Sequence, residues 1–238
     1  MLKNQKVIVL GGSSGMGLAT ARLLATEGAH VVIASRSQEK RDAALRVIGG
    51  RSEAIPLDFS QEDAVRRFFD SMGAFDHLVL MGAGLPAWGI LSEIQSAALE
   101  NAFHTKFWGY FLCAKYGAPL IRQSGSILFT IGGAARSAIP GTAGVAAVNG
   151  AIMCMAMTLA KELAPIRVNI LSPGLVDTPA YNWMSTEEKD AFFKQMGGNL
   201  PVGRVGQPEE IAQSALYLIT NAYTTGAILD VDGGGRLH

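Results

Sequence analysis

Cysteine is almost missing from these 238 residues. Only Cys113 and Cys154 occur, and their separation matches neither a disulfide framework nor a metal-ligand spacing. Both read as buried thiols of a reducing compartment, and no metal is expected. Charge is scarce too, at 17% of residues, and the basic and acidic counts cancel to a net charge of zero. No long basic run is present, which excludes a broad electrostatic footprint for nucleic acid. No secretory apolar core follows Lys3 and Lys6, and the apolar stretch around Ala151–Ala160 is too short to span a bilayer. These absences predict a soluble, cytoplasmic protein with neither membrane nor nucleic-acid partners. No Pro- or Ser-rich linker and no fixed-period repeat divides the sequence, so residues 1–238 read as a single domain.

Hydrophobic residues, by contrast, make up 49% of the chain, enough for a large core. The most informative stretch is Lys6 to Arg22, KVIVLGGSSGMGLATAR. A short apolar strand, Val7 to Leu10, runs into Gly11, Gly15 and Gly17, and a small-residue helix follows. Strand, glycine turn and helix in that order form the context of a phosphate-binding loop. Glycines allow a tight turn and close approach of the backbone, and the helix N-terminus offers free N–H groups to an anion. A plain β–α turn is the blander alternative. Beyond it, strand and helix patterns alternate to the end. Strands are expected at His30–Ser35, Glu53–Leu57, His77–Met81, Ser126–Ile131, Arg167–Leu171 and Ala227–Val231. Long helices are expected at about Ala97–Arg122 and Gly141–Leu163. The pattern predicts an α/β fold: a doubly wound Rossmann-type domain, with a parallel sheet of about seven strands and helices on both faces.

With these motifs in place, the chain resembles the short-chain dehydrogenase/reductase family from end to end. The family's T-G-x-x-x-G-x-G is matched by Leu10-Gly11-Gly12-Ser13-Ser14-Gly15-Met16-Gly17. Asp58, followed by Phe59, matches the acid that bonds the adenine amine. The N-N-A-G motif reads Met81-Gly82-Ala83-Gly84, without its asparagines. The segment Asn169 to Thr178, through Pro173 and Gly174, matches the one that holds the nicotinamide amide, with Val176 acting through its backbone and Thr178 through its hydroxyl. The resemblance implies a nicotinamide cofactor. The family's acid after the second strand, which selects NAD(H), is replaced by Ser35-Arg36-Ser37. Arg36 offers a fork of donors suited to a 2′-phosphate, so NADP(H) is expected over NAD(H), with Arg41 a weaker second candidate.

The resemblance fails at the chemistry. The family's catalytic Asn, Ser, Tyr and Lys fall on Lys106, Gly132, Val145 and Asn149. Valine exchanges no proton, and glycine has no hydroxyl to polarise a carbonyl. Asn149 still offers hydrogen bonds to a ribose. Lys106 is a substitute acid or base if buried, though a lysine filling vacated volume is the plainer reading. His104 and Tyr110 read as surface and packing residues. Trp88, Gly133, Ser137, Tyr181 and Trp183 are candidate substrate contacts, and residues 179–198 a candidate lid over a small-molecule substrate. Three functions stay open. They are an NADP(H)-dependent oxidoreductase of a small uncharged carbonyl or alcohol with a non-standard proton donor, a nucleotide-binding sensor or scaffold without turnover, and a non-redox lyase or isomerase. The apolar 97–122 and 141–163 helices, which the family pairs between subunits, imply a homodimer or homotetramer.

Overall fold

Among the described residues, 1–84 and 86–237 of this computed structural model, seven parallel strands form one sheet. They are β1 (Lys6–Leu10), β2 (His30–Ser35), β3 (Ser52–Pro56), β4 (Phe75–Leu80), β5 (Ile121–Thr130), β6 (Arg167–Pro173) and β7 (Ile228–Val231). Their order is β3-β2-β1-β4-β5-β6-β7. The helices are α1 (Gly15–Thr26), α2 (Gln38–Ile48), α3 (Glu62–Met72), α4 (Ser96–Ala102), α5 (Gly109–Gly117), α6 (Ala143–Glu162), α7 (Thr186–Gly198) and α8 (Pro208–Thr220). The central strands are apolar at successive positions because both faces are covered. Ile8, Leu10, Leu78, Leu80, Ile127 and Phe129 pack against α3, α5 and α6 on one face. Val7, Val9, Val31, Ile33, Val79 and Leu128 pack against α1, α2 and α8 on the other. This is the doubly wound architecture that the alternating pattern predicts.

The helix expected over about 97–122 runs without interruption from Ser96 to Gly117, with a π turn inside it, and ends short of Arg122. After α4 the chain makes a π-helical turn, Phe103–Trp108, then α5, then a short 3-10 turn at Ala118–Leu120. Pro119 lacks the N–H a continuing helix needs, and β5 starts at Ile121, five residues ahead of its expected start at Ser126. A π turn carries an extra residue per turn and re-aims the side chains after it; Lys106 lies within it. α6 starts at Ala143, beyond Gly141 with its φ of +82°. By length and composition α6 is apolar enough to cross a membrane, which corrects the shorter stretch read at 151–160. In the fold it lies along β6 and fills the core with Val148, Ile152 and Ala156. The 179–198 segment forms a 3-10 turn at Pro179–Tyr181 and then α7, started by a capping box between Ser185 and Glu188.

Candidate functional site

The sheet order reverses at β1, where β2 lies on one side and β4 on the other, and ligands of such sheets bind beyond the carboxyl ends at that point. The Met81 N–H donates to the Leu10 carbonyl (2.9 Å), so the β4 exit presses on the glycine loop. A Cβ at Gly11 (φ +79°) would stand 2.7 Å from the Gly82 Cα, and a Cβ at Gly17 would overlap the Gly11 carbonyl oxygen. Gly15 is in the left-handed region at +52°. Ser14 is the N-cap of α1, yet its hydroxyl caps no N–H, and the first turn holds no acidic residue. The leading amides of α1 are therefore left to an anionic ligand. Ser13 is half-buried beside them, and Met16 packs on the core beneath the loop.

At the end of β2 the Ser35 hydroxyl is buried without a hydrogen-bond partner. An orphaned buried hydroxyl is destabilising by about 1–3 kcal/mol unless a ligand satisfies it. Arg36 is exposed, and Ser37 caps α2, accepting from the Lys40 N–H at 3.3 Å. Arg41 is only 8% exposed, and its Nη1 donates to the carbonyls of Ser35 (2.7 Å) and Arg36 (2.9 Å). It stiffens this corner. Asp58 accepts from the Ser60 N–H (3.1 Å) and hydroxyl (2.7 Å) through Oδ1, which fixes its carboxylate. The Phe59 ring turns inward, against Gly82, Gly109 and Tyr110, so that side chain serves packing.

On the other side, Gly174 lets the chain after β6 run against Asp232, whose Cα would be 2.7 Å from an added Cβ. Val176 is buried and pairs with Gly206. The Thr178 side chain lies 3.4 Å from the position a Gly15 Cβ would take, so this segment closes on the glycine loop. The open amides of α1, the close backbone approach and the orphaned Ser35 hydroxyl together fit an anionic dinucleotide.

A cleft of about 730 Å³ meets the cradle at Gly174 and is lined by Ala83, Gly84, Gly132, Gly133 and Pro173. Lys106, Val145 and Asn149 line it, so the four positions that sequence reasoning singles out do converge. Lys106 Nζ donates to Asn149 Oδ1 at 2.7 Å, and Asn149 Nδ2 donates to the Val145 carbonyl at 2.9 Å. The amide orientation follows from both partners, because an ammonium only donates and a carbonyl only accepts. A Cβ at Gly132 would sit 3.2 Å from Asn149 Nδ2, so the amide occupies the space next to the missing serine side chain. Burial alone holds the Lys106 ammonium down to about 8. The Tyr110 hydroxyl donates to the Gly82 carbonyl (2.9 Å) away from the cleft, and burial raises its pKa well above the usual phenol range. His104 is exposed.

Trp88 and Tyr181 border the cleft, whereas Trp183 is 76% exposed and does not line it; Phe192, Met196 and Leu200 take that side. The Ser137 hydroxyl is committed to the Gly133 carbonyl (3.0 Å). The C-terminal wall carries two residues that sequence reasoning misses, Asp230 and Arg236. Arg136 makes a forked contact with Asp230 (Nη2 at 3.0 Å), and Arg236 reaches the same carboxylate (3.1 Å). Among the described residues no His, Cys, Asp and Glu cluster could hold a metal.

A family model described as enoyl-(acyl carrier protein) reductase matches residues 11–236. An uncharacterized oxidoreductase of Bacillus subtilis is 32% identical over 98% of this chain and 91% of its own length. The 3-oxoacyl-[acyl-carrier-protein] reductase of Chlamydia muridarum is 32% identical over 98% of both chains. A solved small-chain dehydrogenase in complex with NADPH is 38% identical, with a TM-score of 0.86 over 99% of this chain and 100% of that one.

Proposed function

The chain belongs to the short-chain dehydrogenase/reductase family, and from that premise we propose that it is an NADP(H)-dependent oxidoreductase of a small, uncharged carbonyl or alcohol. The observation that carries this reading is a largely apolar cleft that shares Gly84, Pro173 and Gly174 with the dinucleotide cradle and is lined by the hydrogen-bonded pair Lys106 and Asn149. Preference for NADP(H) is supported by the lack of any carboxylate at Ser35–Ser37 and by the guanidinium groups of Arg36 and Arg41 at that corner. The NADPH held by the similar solved dehydrogenase points the same way.

When bound, the reduced cofactor supplies a hydride to a carbonyl carbon. The protein's own residues then have three tasks. The glycine loop, Asp58 and Thr178 hold the dinucleotide in place. The apolar walls, with Val145 and Val148, exclude water from the reacting centre. Polar groups at the cleft floor support the carbonyl oxygen as charge develops on it, a task that Gly132 and Val145 cannot share. Arg136 and Arg236 share Asp230, and Asp232 on the same wall balances the second cation, which suits an uncharged substrate.

A second reading, a dinucleotide-binding protein without turnover, is favoured by Gly132 and Val145 themselves. Absorbance of NADPH, followed against a panel of neutral aldehydes, ketones and enones, separates the two: tight binding without consumption of any member refutes the oxidoreductase. We place the protein in the cytoplasm as a homodimer or homotetramer. Both cysteines are free, Cys113 buried as expected and Cys154 exposed on α6 against expectation, and the exposed Trp108 and Met157 on the π turn and α6 suit a helix-to-helix contact between copies.

A further inference from the structure

Resting on that reading, we propose that Lys106 is the residue that protonates the carbonyl oxygen, with Asn149 holding it in place. The family pattern calls for an amide at position 106 and an ammonium at position 149; this chain has the ammonium at 106 and the amide at 149. The two side chains still meet, at 2.7 Å, across the cleft floor. An ammonium at 149 acts on a tyrosine at 145, and with Val145 there it would have nothing to act on. Carried on the opposite wall, the ammonium lines the cleft directly.

The backbone is shaped for this placement. Lys106 sits in the π turn between α4 and α5. A Cβ at Gly84 would be 2.6 Å from Lys106 Cβ, so the lysine stem needs glycine beside it to reach the floor. Asn149 accepts one of the three ammonium hydrogens, and its own N–H is tied to Val145, so the ammonium keeps donors for a ligand oxygen. Among the described residues no carboxylate pairs with Lys106. Asp230, Arg136 and Arg236 are bound to one another at the far wall, Asp232 accepts from the Gly234 and Arg236 N–H groups, and Tyr110 offers only its ring, 6.0 Å from Nζ. An amine buried without a counter-ion releases its proton far more readily than one on the surface, and the value near 8 agrees.

The step balances simply. The hydride's electron pair forms the new C–H bond at the carbonyl carbon, and the π pair moves to oxygen. One Lys106 N–H bond breaks as the O–H bond forms. Lys106 is left as a neutral amine and regains its proton from solvent. In this scheme one cation supplies both the proton and the oxyanion support that the family divides between serine and tyrosine.

Two readouts test this. The first needs no turnover: acylate the cofactor-free protein across a pH series and follow each lysine by peptide mass spectrometry. Lys106 should show a labelling midpoint near 8; a midpoint at the ordinary lysine value of 10.5 overturns the proposal. The second compares variants. Lys106→Met and Lys106→Arg should both lose about 10²- to 10⁴-fold in kcat, with NADPH affinity retained. The arginine variant keeps the charge but holds its protons throughout the accessible pH range. Full rescue by Lys106→Arg, or unchanged kcat in Lys106→Met, overturns proton donation by Lys106 while leaving the oxidoreductase reading intact. A wild-type protein that binds NADPH and consumes none removes both. If the Lys106 variants do not fold, Asn149→Leu serves: without its acceptor the ammonium should label at still lower pH, and an unmoved midpoint counts against the pairing.

Discussion

Replacing Gly17 by alanine tests the cofactor cradle at its narrowest point. The added Cβ would overlap the Gly11 carbonyl oxygen and stand 2.8 Å from the Gly11 carbonyl carbon and 3.2 Å from the Gly12 Cα. All three atoms are backbone, so no side chain can swing aside. Relief requires the start of α1 to move away from the loop by about 1 Å, which stretches a hydrogen bond of ordinary length beyond its useful range. Hydrogen bonds to a charged group contribute about 1.5–3 kcal/mol each. Losing one or two of them from the α1 amides costs about 2–4 kcal/mol, or a ~30- to ~1000-fold rise in the NADPH dissociation constant. Gly15→Ala tests strain instead of overlap: its nearest neighbour is at 3.4 Å, but φ is +52°. Left-handed backbone costs about 1–2 kcal/mol without glycine, so a loss of folding stability of that size is expected, with NADPH affinity little changed. Gly198→Ala, with no heavy atom within 4 Å, should bind as the wild type does. Fluorescence titration of NADPH, with circular dichroism to follow folding, measures all three. A folded Gly17→Ala protein that binds NADPH as tightly as the wild type would refute the reasoning.

Further outcomes follow from the β2 corner and from the far end of the sheet. Arg36→Ala should weaken NADPH about 10- to 100-fold and leave NADH nearly unchanged, the contribution of one guanidinium–phosphate contact; parallel titrations with both cofactors check it. Buried His77, between Gln5 and Ser126 (both 2.8 Å), is held neutral, its pKa lowered from 6.5 to about 4 chiefly by burial. The unfolded chain takes up that proton first, so stability is complete above pH 6.5 and falls as pH drops toward 4, by about 3 kcal/mol from this group. Urea unfolding across that window should show the slope in the wild type and a flatter one in His77→Gln.

The parts of the fold that were legible in the sequence are the local ones. Val7–Leu10 running into Gly11, Gly15 and Gly17 announced a strand, turn and helix, because hydrophobic period and glycine spacing act over a few residues. The sheet and its layers followed from alternation alone. The π turn after Ala102 was not legible, since Phe103, Phe107, Tyr110 and Phe111 keep helical spacing through it. The early start of β5 was hidden by the polar Arg122-Gln123-Ser124, which lie exposed beside its pairing with β4. Tertiary contacts were out of reach for the same reason. Lys106 and Asn149 are 43 residues apart, and Arg136 and Asp230 are 94 apart. Composition placed Trp183 in the pocket because a tryptophan in a lid suits a ligand, yet its backbone turns it to solvent and leaves Phe192 and Met196 inward.

The central claim is that a hydride crosses this cleft although Gly132 and Val145 replace two of the family's catalytic side chains. Deuterium labelling at the reactive carbon of NADPH tests it most directly. The wild-type protein is incubated with the labelled cofactor and the neutral carbonyl panel, and the alcohol products are read by mass spectrometry. The account predicts one deuterium on the former carbonyl carbon of at least one product, and its loss in the Lys106→Met variant. NADPH bound tightly, with no deuterium in any product of the wild-type protein, would contradict it.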